Sequence, residues 1–234
     1  MKKIRLFAVY ICTGYLVLLL FGCTKESSTS VNTDPVTVKD FDGNTYQTVK
    51  ICDQTWTKTN LNVSHYRNGD LIPGVTNPTQ WVGLTTGAWC YYNNDPASGA
   101  IYGKLYNGYA VTDPRGLAPQ GTHIPAYTEL LTMLACQGGE TMAGGKLKET
   151  GITHWLNPNT GATNSIGFTA LPGGYRCSCS SAAFYNIGNQ SLFWSSTDIN
   201  TSTAWSMYLG YDSGISTAAG NDKRKGFSIR CIRD

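Results

Sequence analysis

The stretch VKDFDGNTYQTVKICDQTWTKTNL, residues 38–61, decides the fold class because polar and apolar side chains alternate along it. A period of two predicts short β-strands, and the run is rich in valine, threonine and aromatic residues, which strands favour. Asp42-Gly43-Asn44 predicts one turn, and Asp53-Gln54 predicts a second. The acidic start of the first turn resembles a calcium loop, but the later glycine and glutamate of such a loop are missing. The stretch therefore predicts antiparallel hairpins.

The strongest helix signal is IPAYTELLTMLACQGG, residues 124–139. Leu130, Leu131, Leu134 and Ala135 form an apolar stripe at helical spacing, and two glycines end it. Ala126 occupies the N-cap position and offers no capping oxygen, although Glu129 occupies the acidic position of a capping box. A second, shorter helix is predicted over residues 143–149, after which strand and turn patterns return. The sequence predicts an α+β fold with a small twisted antiparallel sheet, one or two helices and long structured loops.

The first 22 residues have the layout of a secretory signal peptide. Three basic residues precede an almost wholly apolar run over residues 6–21, which is too short for a membrane-spanning helix of about 20 residues. The quartet Leu20-Phe21-Gly22-Cys23 resembles a bacterial lipobox, after which Cys23 carries lipid. An ordinary signal peptide or an uncleaved anchor is the alternative. The preferred interpretation is a lipoprotein, with palmitate or similar chains on Cys23 holding it to the membrane.

The chain is expected to divide into a signal peptide (1–22), a lipidated cysteine with a flexible tether (23–37) and one domain (38–234). The tether is rich in serine and threonine and has no periodic apolar pattern. This organisation predicts a cell-envelope location, at the outer membrane or the cell surface, while the direction in which the domain faces stays open.

The charge balance gives no sign of nucleic-acid binding. The whole chain carries 18 Lys and Arg against 15 Asp and Glu. Removal of residues 1–22 takes away three basic residues and no acidic ones, which leaves 15 of each. Because a nucleic-acid surface needs a basic face, the partners expected are the membrane and either a glycan or another envelope protein.

Six cysteines remain after the predicted anchor, an even number that suggests disulfides in an exported protein. They are Cys52, Cys90, Cys136, Cys177, Cys179 and Cys231. Cys177 and Cys179 would lie on one face of a strand, so each is expected to pair elsewhere. A zinc site at this pair is the alternative, but no second close Cys or His pair accompanies it. No metal and no cofactor are therefore expected.

A cluster of aromatic and polar residues between positions 81 and 95 is the candidate ligand site. Loop aromatics beside amide and carboxylate groups commonly recognise ligands, and this composition suits a glycan. The calcium-dependent sugar motifs Glu-Pro-Asn, Gln-Pro-Asp and Trp-Asn-Asp are absent, so calcium-independent binding is expected. The alternative is that the aromatic side chains are core. The candidates are Trp81, Trp89, Tyr91, Tyr92, Asn93, Asn94 and Asp95.

The motifs GNTYQTVKI, YGKLYNGYAV, GGKLKETG, GFTALPGG, FWSST and GFSIRCIRD, taken in order, resemble the Fibrobacter succinogenes major paralogous domain. The resemblance spans about residues 38–234 and implies a lipoprotein of Bacteroidota or a related lineage. The family's cysteine before the GTHIP segment is replaced by Ala118, so the bridge to the C-terminal Cys231 must be re-routed. On this resemblance, Cys136 is the expected partner of Cys231.

The resemblance extends distantly to C-type-lectin-like and formylglycine-generating-enzyme domains, which implies a C-type-lectin-like outline but no function. No catalytic motif accompanies the three histidines, and His123 is expected to bond loop backbone. The leading hypothesis is a non-catalytic binding or structural module, not an enzyme. The alternatives are a calcium-independent glycan-binding module and a thiol-dependent enzyme of formylglycine-generating type.

Overall fold

The computed structural model describes residues 36–234 of the chain. The strands are β1 (Thr37–Lys39), β2 (Thr45–Ile51), β3 (Gln54–Thr57), β4 (Trp89–Cys90), β5 (Leu105–Asn107), β6 (Thr122–His123), β7 (Gly173–Arg176), β8 (Phe184–Ile187), β9 (Gln190–Asp198), β10 (Thr203–Gly210), β11 (Ser216–Asp222), β12 (Gly226–Phe227) and β13 (Ile232–Arg233). The helices are α1 (Pro78–Val82), α2 (Pro96–Tyr102), α3 (Gly108–Val111), α4 (Tyr127–Cys136) and α5 (Glu140–Leu147), with a 3-10 turn at Tyr92–Asn94. The predicted α+β class is confirmed. The predicted signal peptide, Cys23 and nearly all of the tether lie outside the described residues.

The strands form three antiparallel sheets where one was expected. Their orders are β1-β2-β3-β13-β6, β11-β10-β9 and β4-β5-β12-β7-β8. The C-terminal run supplies β13 between β3 and β6 and β12 between β5 and β7. Residues 226–233 therefore tie two sheets together. Within residues 36–234, no helix has both the length and the apolar character needed to cross a bilayer.

The opening hairpins follow the predicted pattern. The carboxylate of Asp40 accepts hydrogen bonds from the backbone N–H and the side-chain amide of Asn44, at 2.9 and 2.8 Å, which closes the β1–β2 turn. The β2–β3 turn lies one position earlier than predicted, because Ile51 pairs with Gln54 and leaves Cys52 and Asp53 as the turn residues. Cys52 takes the left-handed conformation there, with φ 54°. Cys52 is exposed there, next to the C-terminal end of α4.

Both predicted helices are present with shifted bounds. In α4 the carboxylate of Glu129 accepts the backbone N–H of Ala126 at 2.8 Å, so half of a capping box forms although Ala126 supplies no side-chain bond. Leu130, Met133 and Leu134 are its buried residues. Met133 is therefore buried although the predicted stripe did not include it, and Leu131 and Ala135, which the stripe did include, are not buried. The second helix, α5, begins three residues earlier than predicted.

Buried cations hold the long loops by donating to backbone carbonyls. The guanidinium of Arg230 donates to the carbonyls of Thr57 and Phe168 at 2.9 and 2.8 Å. The ammonium of Lys148 donates to three backbone carbonyls, two of them in loops and one at the end of β10, that of Gly210 at 2.8 Å. Burying a carbonyl or a charge without a hydrogen bond destabilises the folded state, and each of these contacts gives a hydrogen-bond partner to a carbonyl and to a buried cation. The loops therefore have fixed conformations despite their lack of regular structure.

The disulfide pairing corrects two predictions. Cys136 is bonded to Cys52 and not to Cys231, because the C-terminus of α4 lies beside the β2–β3 turn, with the two Cα atoms 6.6 Å apart. Cys177 and Cys179 are bonded to each other, since β7 ends at Arg176 and the chain turns directly after it. Cys90 and Cys231 are buried free thiols, so the prediction of these two residues as disulfide cysteines is also wrong. Cys231 lies in the buried core.

Candidate functional site

A surface cavity of about 230 Å³ lies where β4 meets the preceding loop and the start of α2. Two aromatic side chains, Trp89 and Tyr91, form part of its wall. Both are half-buried, whereas the flanking Cys90 and Tyr92 are buried, as the alternation along this segment requires. The other lining residues are Gly74, Val75, Thr76, Cys90, Asn94 and Pro96.

Lys104 holds the two aromatic rings from within the protein. The rings of Trp89 and Tyr91 meet edge to face with centroids 5.1 Å apart. The ammonium of Lys104 lies 4.5 Å from the Trp89 centroid and 5.2 Å from that of Tyr91, within the range of a cation–π contact. Burial lowers the pKa of Lys104, an effect that nearby carboxylates oppose. Its ammonium also donates to the carbonyl and side-chain oxygens of Asn62.

Two glycines allow the rings to lie where they do. A Cβ on Gly99 in α2 would be 2.2 Å from the ring of Tyr91, and one on Gly74 would be 3.0 Å from that of Trp89. The indole N–H of Trp89 donates to the carbonyl of Ile72 at 2.9 Å, which fixes the rotation of that ring. The aromatic pair is consequently rigid and preorganised.

Arg176 holds the part of the cavity wall formed by Val75 and Thr76. Its guanidinium donates to the carbonyls of Val75 and Thr76 at 2.6 and 2.8 Å. The amide of Asn94 approaches the same Thr76 carbonyl at 3.4 Å from the other side. Asn93 and Asn94 both take left-handed conformations, which asparagine tolerates better than most residues. The wall therefore presents polar groups to an aromatic surface.

The structure brings together part of the predicted ligand set. Trp89, Tyr91 and Asn94 line the cavity. Trp81 and Tyr92 belong to a buried core cluster, so their prediction as ligand residues is wrong and the alternative core interpretation holds for them. Trp81 is wholly buried because its ring packs under the guanidinium of Arg176, 4.4 Å away.

Asn93 is exposed outside the cavity lining, and Asp95 is committed to capping α2 by accepting the N–H of Ala97 at 3.0 Å. Sequence reasoning missed Lys104, Gly74, Gly99 and the Arg176 wall. The only local sequence pattern near the cavity is Asn94-Asp95-Pro96, and this pattern indicates the N-cap of a helix and not a ligand site.

A second, amide-rich groove of about 210 Å³ lies across α2 from the aromatic cavity. Gly99 lines this groove and also contacts Tyr91, so the two concave surfaces share one helix. Asn62, whose oxygens bind Lys104, lines it as well. The other lining residues are Asn44, Tyr46, Thr59, Asn60, Ala100, Ile101 and Gly103.

The two free thiols within residues 36–234, those of Cys90 and Cys231, are inaccessible. Burial raises the pKa of Cys90 and of Cys231 to about 12, in each case against the opposing influence of nearby arginine. A thiol nucleophile needs an exposed site and a lowered pKa. Neither thiol meets these requirements.

The histidines are bonded to carboxylates. His123 lies between Asp234, 2.6 Å from its Nδ1, and Glu129, 2.9 Å from its Nε2. This differs from the predicted bonding to loop backbone. His65 and His154 each pair with one carboxylate. Within residues 36–234, no group of three or more His, Cys, Asp and Glu side chains is arranged to hold a metal ion.

Comparison with known proteins gives one match. Residues 49–233 match the family described as the Fibrobacter succinogenes major domain. No curated protein and no solved structure matches the chain significantly. The match begins inside β2 and ends at the last residue of β13, so it includes the aromatic cavity, all six cysteines of the domain and all of the groove except Asn44 and Tyr46.

Proposed function

Because the chain belongs to the Fibrobacter succinogenes major domain family, we propose that it is a cell-envelope lipoprotein whose domain is a non-catalytic, carbohydrate-binding module. The observation that carries this proposal is the paired, half-exposed rings of Trp89 and Tyr91 at the wall of one cavity. Ligand sites combine apolar and aromatic walls with a few placed polar groups, and this cavity has that composition.

The chemistry of the cavity suits a sugar ring. The C–H face of a pyranose packs on an aromatic ring, and its hydroxyl groups exchange hydrogen bonds with amides and carbonyls such as Asn94 and Thr76. At about 230 Å³ the cavity is smaller than the roughly 300–1,000 Å³ of sites for drug-sized ligands, which favours a single sugar ring. The adjoining groove offers amide groups for a second ring.

Preorganisation favours binding at this site. The contacts from Lys104, Ile72 and Gly99 already fix both rings, so binding orders few side chains and loses little rotamer entropy. Calcium is not needed in this arrangement, because Asp95, the acidic residue nearest in sequence, is occupied as a helix cap. The burial of Cys90 and Cys231 supports a non-catalytic role over that of a thiol enzyme.

The anchor is proposed from the sequence of residues 1–23. Lipid on Cys23 would hold the domain at the outer membrane or cell surface, where it would meet glycans. Metabolic labelling with a fatty-acid analogue tests this directly. The wild-type chain is expected to take up label, and Cys23→Ser is expected to take up none; equal labelling of both chains would refute the anchor.

The binding proposal is tested on the full chain, purified in detergent and screened on a glycan array, with hits measured by calorimetry. Trp89→Ala and Tyr91→Ala are each expected to weaken binding about tenfold or more, which corresponds to about 1.4 kcal/mol. Tyr185→Ala is the matched control, since it removes an exposed tyrosine outside the cavity. No binding above background, or equal losses in all three variants, would refute the proposal.

A further inference from the structure

The Cys177–Cys179 bridge joins residues only two apart in the sequence and lies in the connection between β7 and β8. The two sulfurs have unequal access to solvent. Cys179 is exposed, whereas Cys177 is 7% exposed. An incoming thiol therefore has access to Cys179 and not to Cys177.

Backbone hydrogen bonds hold the connection between β7 and β8 independently of the bridge. Arg176 pairs with Phe184 at the end of the two strands, and the N–H of Cys177 donates to the carbonyl of Ala183 at 2.9 Å. The turn is completed by the N–H of Ala182, which donates to the carbonyl of Cys179 at 2.8 Å. Opening the bridge leaves all these hydrogen bonds in place. The Cys52–Cys136 bridge differs, because it joins segments 84 residues apart.

Each sulfur also has a hydrogen-bonding partner. The backbone N–H of Cys179 points at the sulfur of Cys177, 3.3 Å away. The hydroxyl of Ser181 lies 3.2 Å from the sulfur of Cys179. Hydrogen bonds to a thiolate stabilise it, so both sulfurs are placed to leave as thiolates.

We propose that Cys177–Cys179 is a reversible thiol–disulfide exchange site for thiols of other envelope proteins, with Cys179 as the sulfur that is attacked. A partner thiolate forms a bond to the Cys179 sulfur, the bond between the two cysteine sulfurs breaks, and Cys177 leaves as a thiolate and takes up a proton. A second thiolate of the partner then attacks the partner's own sulfur in the mixed disulfide, the bond from that sulfur to Cys179 breaks, and Cys179 leaves as a thiolate and takes up a proton. The partner dithiol is thereby oxidised by two electrons to a disulfide, and the Cys177–Cys179 pair is reduced to two thiols.

The reverse steps reduce a partner disulfide. The direction is set by the redox state of the partners, since every step is an exchange between thiols and disulfides. This inference rests on the exported location proposed above but not on carbohydrate binding, because the carbohydrate cavity contains neither cysteine.

The site of attack is tested with two matched variants of the full chain, Cys177→Ser and Cys179→Ser, each reacted with oxidised glutathione. Acid quenching, alkylation and peptide mass mapping give the rate of mixed-disulfide formation at the remaining cysteine. The rate at Cys179 in the first variant is expected to exceed that at Cys177 in the second by about tenfold or more, because access limits exchange. Equal or inverted rates would overturn the assignment.

Reversibility is tested on the wild-type chain in glutathione buffers of graded redox ratio. The Cys177–Cys179 bridge is expected to open and close again while the near-ultraviolet circular dichroism and the Cys52–Cys136 bridge stay unchanged. Loss of the dichroism signal in step with opening would show that the bridge is structural. A bridge that stays closed until Cys52–Cys136 opens would refute the exchange site. Neither outcome would bear on the glycan-binding result.

Discussion

Replacing both residues of the Cys52–Cys136 bridge with serine is expected to lower the free energy of unfolding far more than the same change at Cys177 and Cys179. In the chain-entropy account, a cross-link stabilises the fold by restricting the unfolded chain, and the effect grows with the enclosed loop. The separation of 84 residues gives about 4.5 kcal/mol. The separation of two residues gives about 1.2 kcal/mol.

The first double variant is a clean test because both of its cysteines are exposed, so the serines place no new polar group in the core. The free energies of unfolding are measured by urea denaturation without reductant, with the slope compared among all three chains to check two-state behaviour. A difference of about 3 kcal/mol between the two double variants is expected. Equal losses, or a larger loss from Cys177→Ser/Cys179→Ser, would refute the assignment of Cys52–Cys136 as the bridge that stabilises the fold.

Three further predictions concern single residues. Gly99→Ala is expected to lower the free energy of unfolding by about 1–3 kcal/mol and to weaken sugar binding, because its Cβ would overlap the Tyr91 ring. In the control Gly83→Ala, the added Cβ meets only ordinary contacts at 3.6 Å. Similar effects of the two variants in denaturation and calorimetry would contradict this prediction. Lys104→Met is expected to lower the free energy of unfolding by about 1–3 kcal/mol and to lower sugar affinity, because it removes the cation beside the rings of Trp89 and Tyr91. Unchanged sugar affinity would show that the rings do not need this contact. The pKa of His123 is raised, since its two carboxylate partners outweigh the opposing effect of burial, so its folded pKa lies above its unfolded value of about 6.5. The contribution of His123 to the free energy of unfolding is therefore complete below about pH 6.5 and is lost as pH rises through the higher folded pKa. In denaturation at graded pH, the difference in the free energy of unfolding between the wild type and His123→Gln should shrink over that range. A constant difference would contradict this prediction.

Local patterns determined the parts of the fold that depend on neighbours in sequence. The hairpin alternation in residues 38–61 and the helical spacing after Pro125 gave the right elements, with errors of a few residues at their ends. Those errors arose where a tertiary contact decided the boundary. Met133 is buried, for example, because α4 packs on a core that also contains Trp56 and Phe193.

The candidate site was only half predictable. The composition of residues 81–95 indicated that Trp89 and Tyr91 are candidate ligand residues, but no local pattern shows which aromatic side chains meet solvent and which meet another segment. Trp81 and Tyr92 are buried because β7 and β8 supply Arg176 and Phe184 against them from about 100 residues away in sequence. Lys104 was missed because a charged residue gives no sequence signal that it will be buried under aromatic rings.

The sequence by itself determined the α+β class, the family and the group of aromatic residues from which the cavity is built. These follow from short-range periodicity, composition and ordered motifs, which are properties of neighbouring residues. The tertiary structure alone decided the division into three sheets, the pairing of the cysteines and the choice of aromatic side chains that remain accessible. Each of those depends on which distant segments meet, and the packing of the C-terminal strands between earlier ones fixes that in three dimensions.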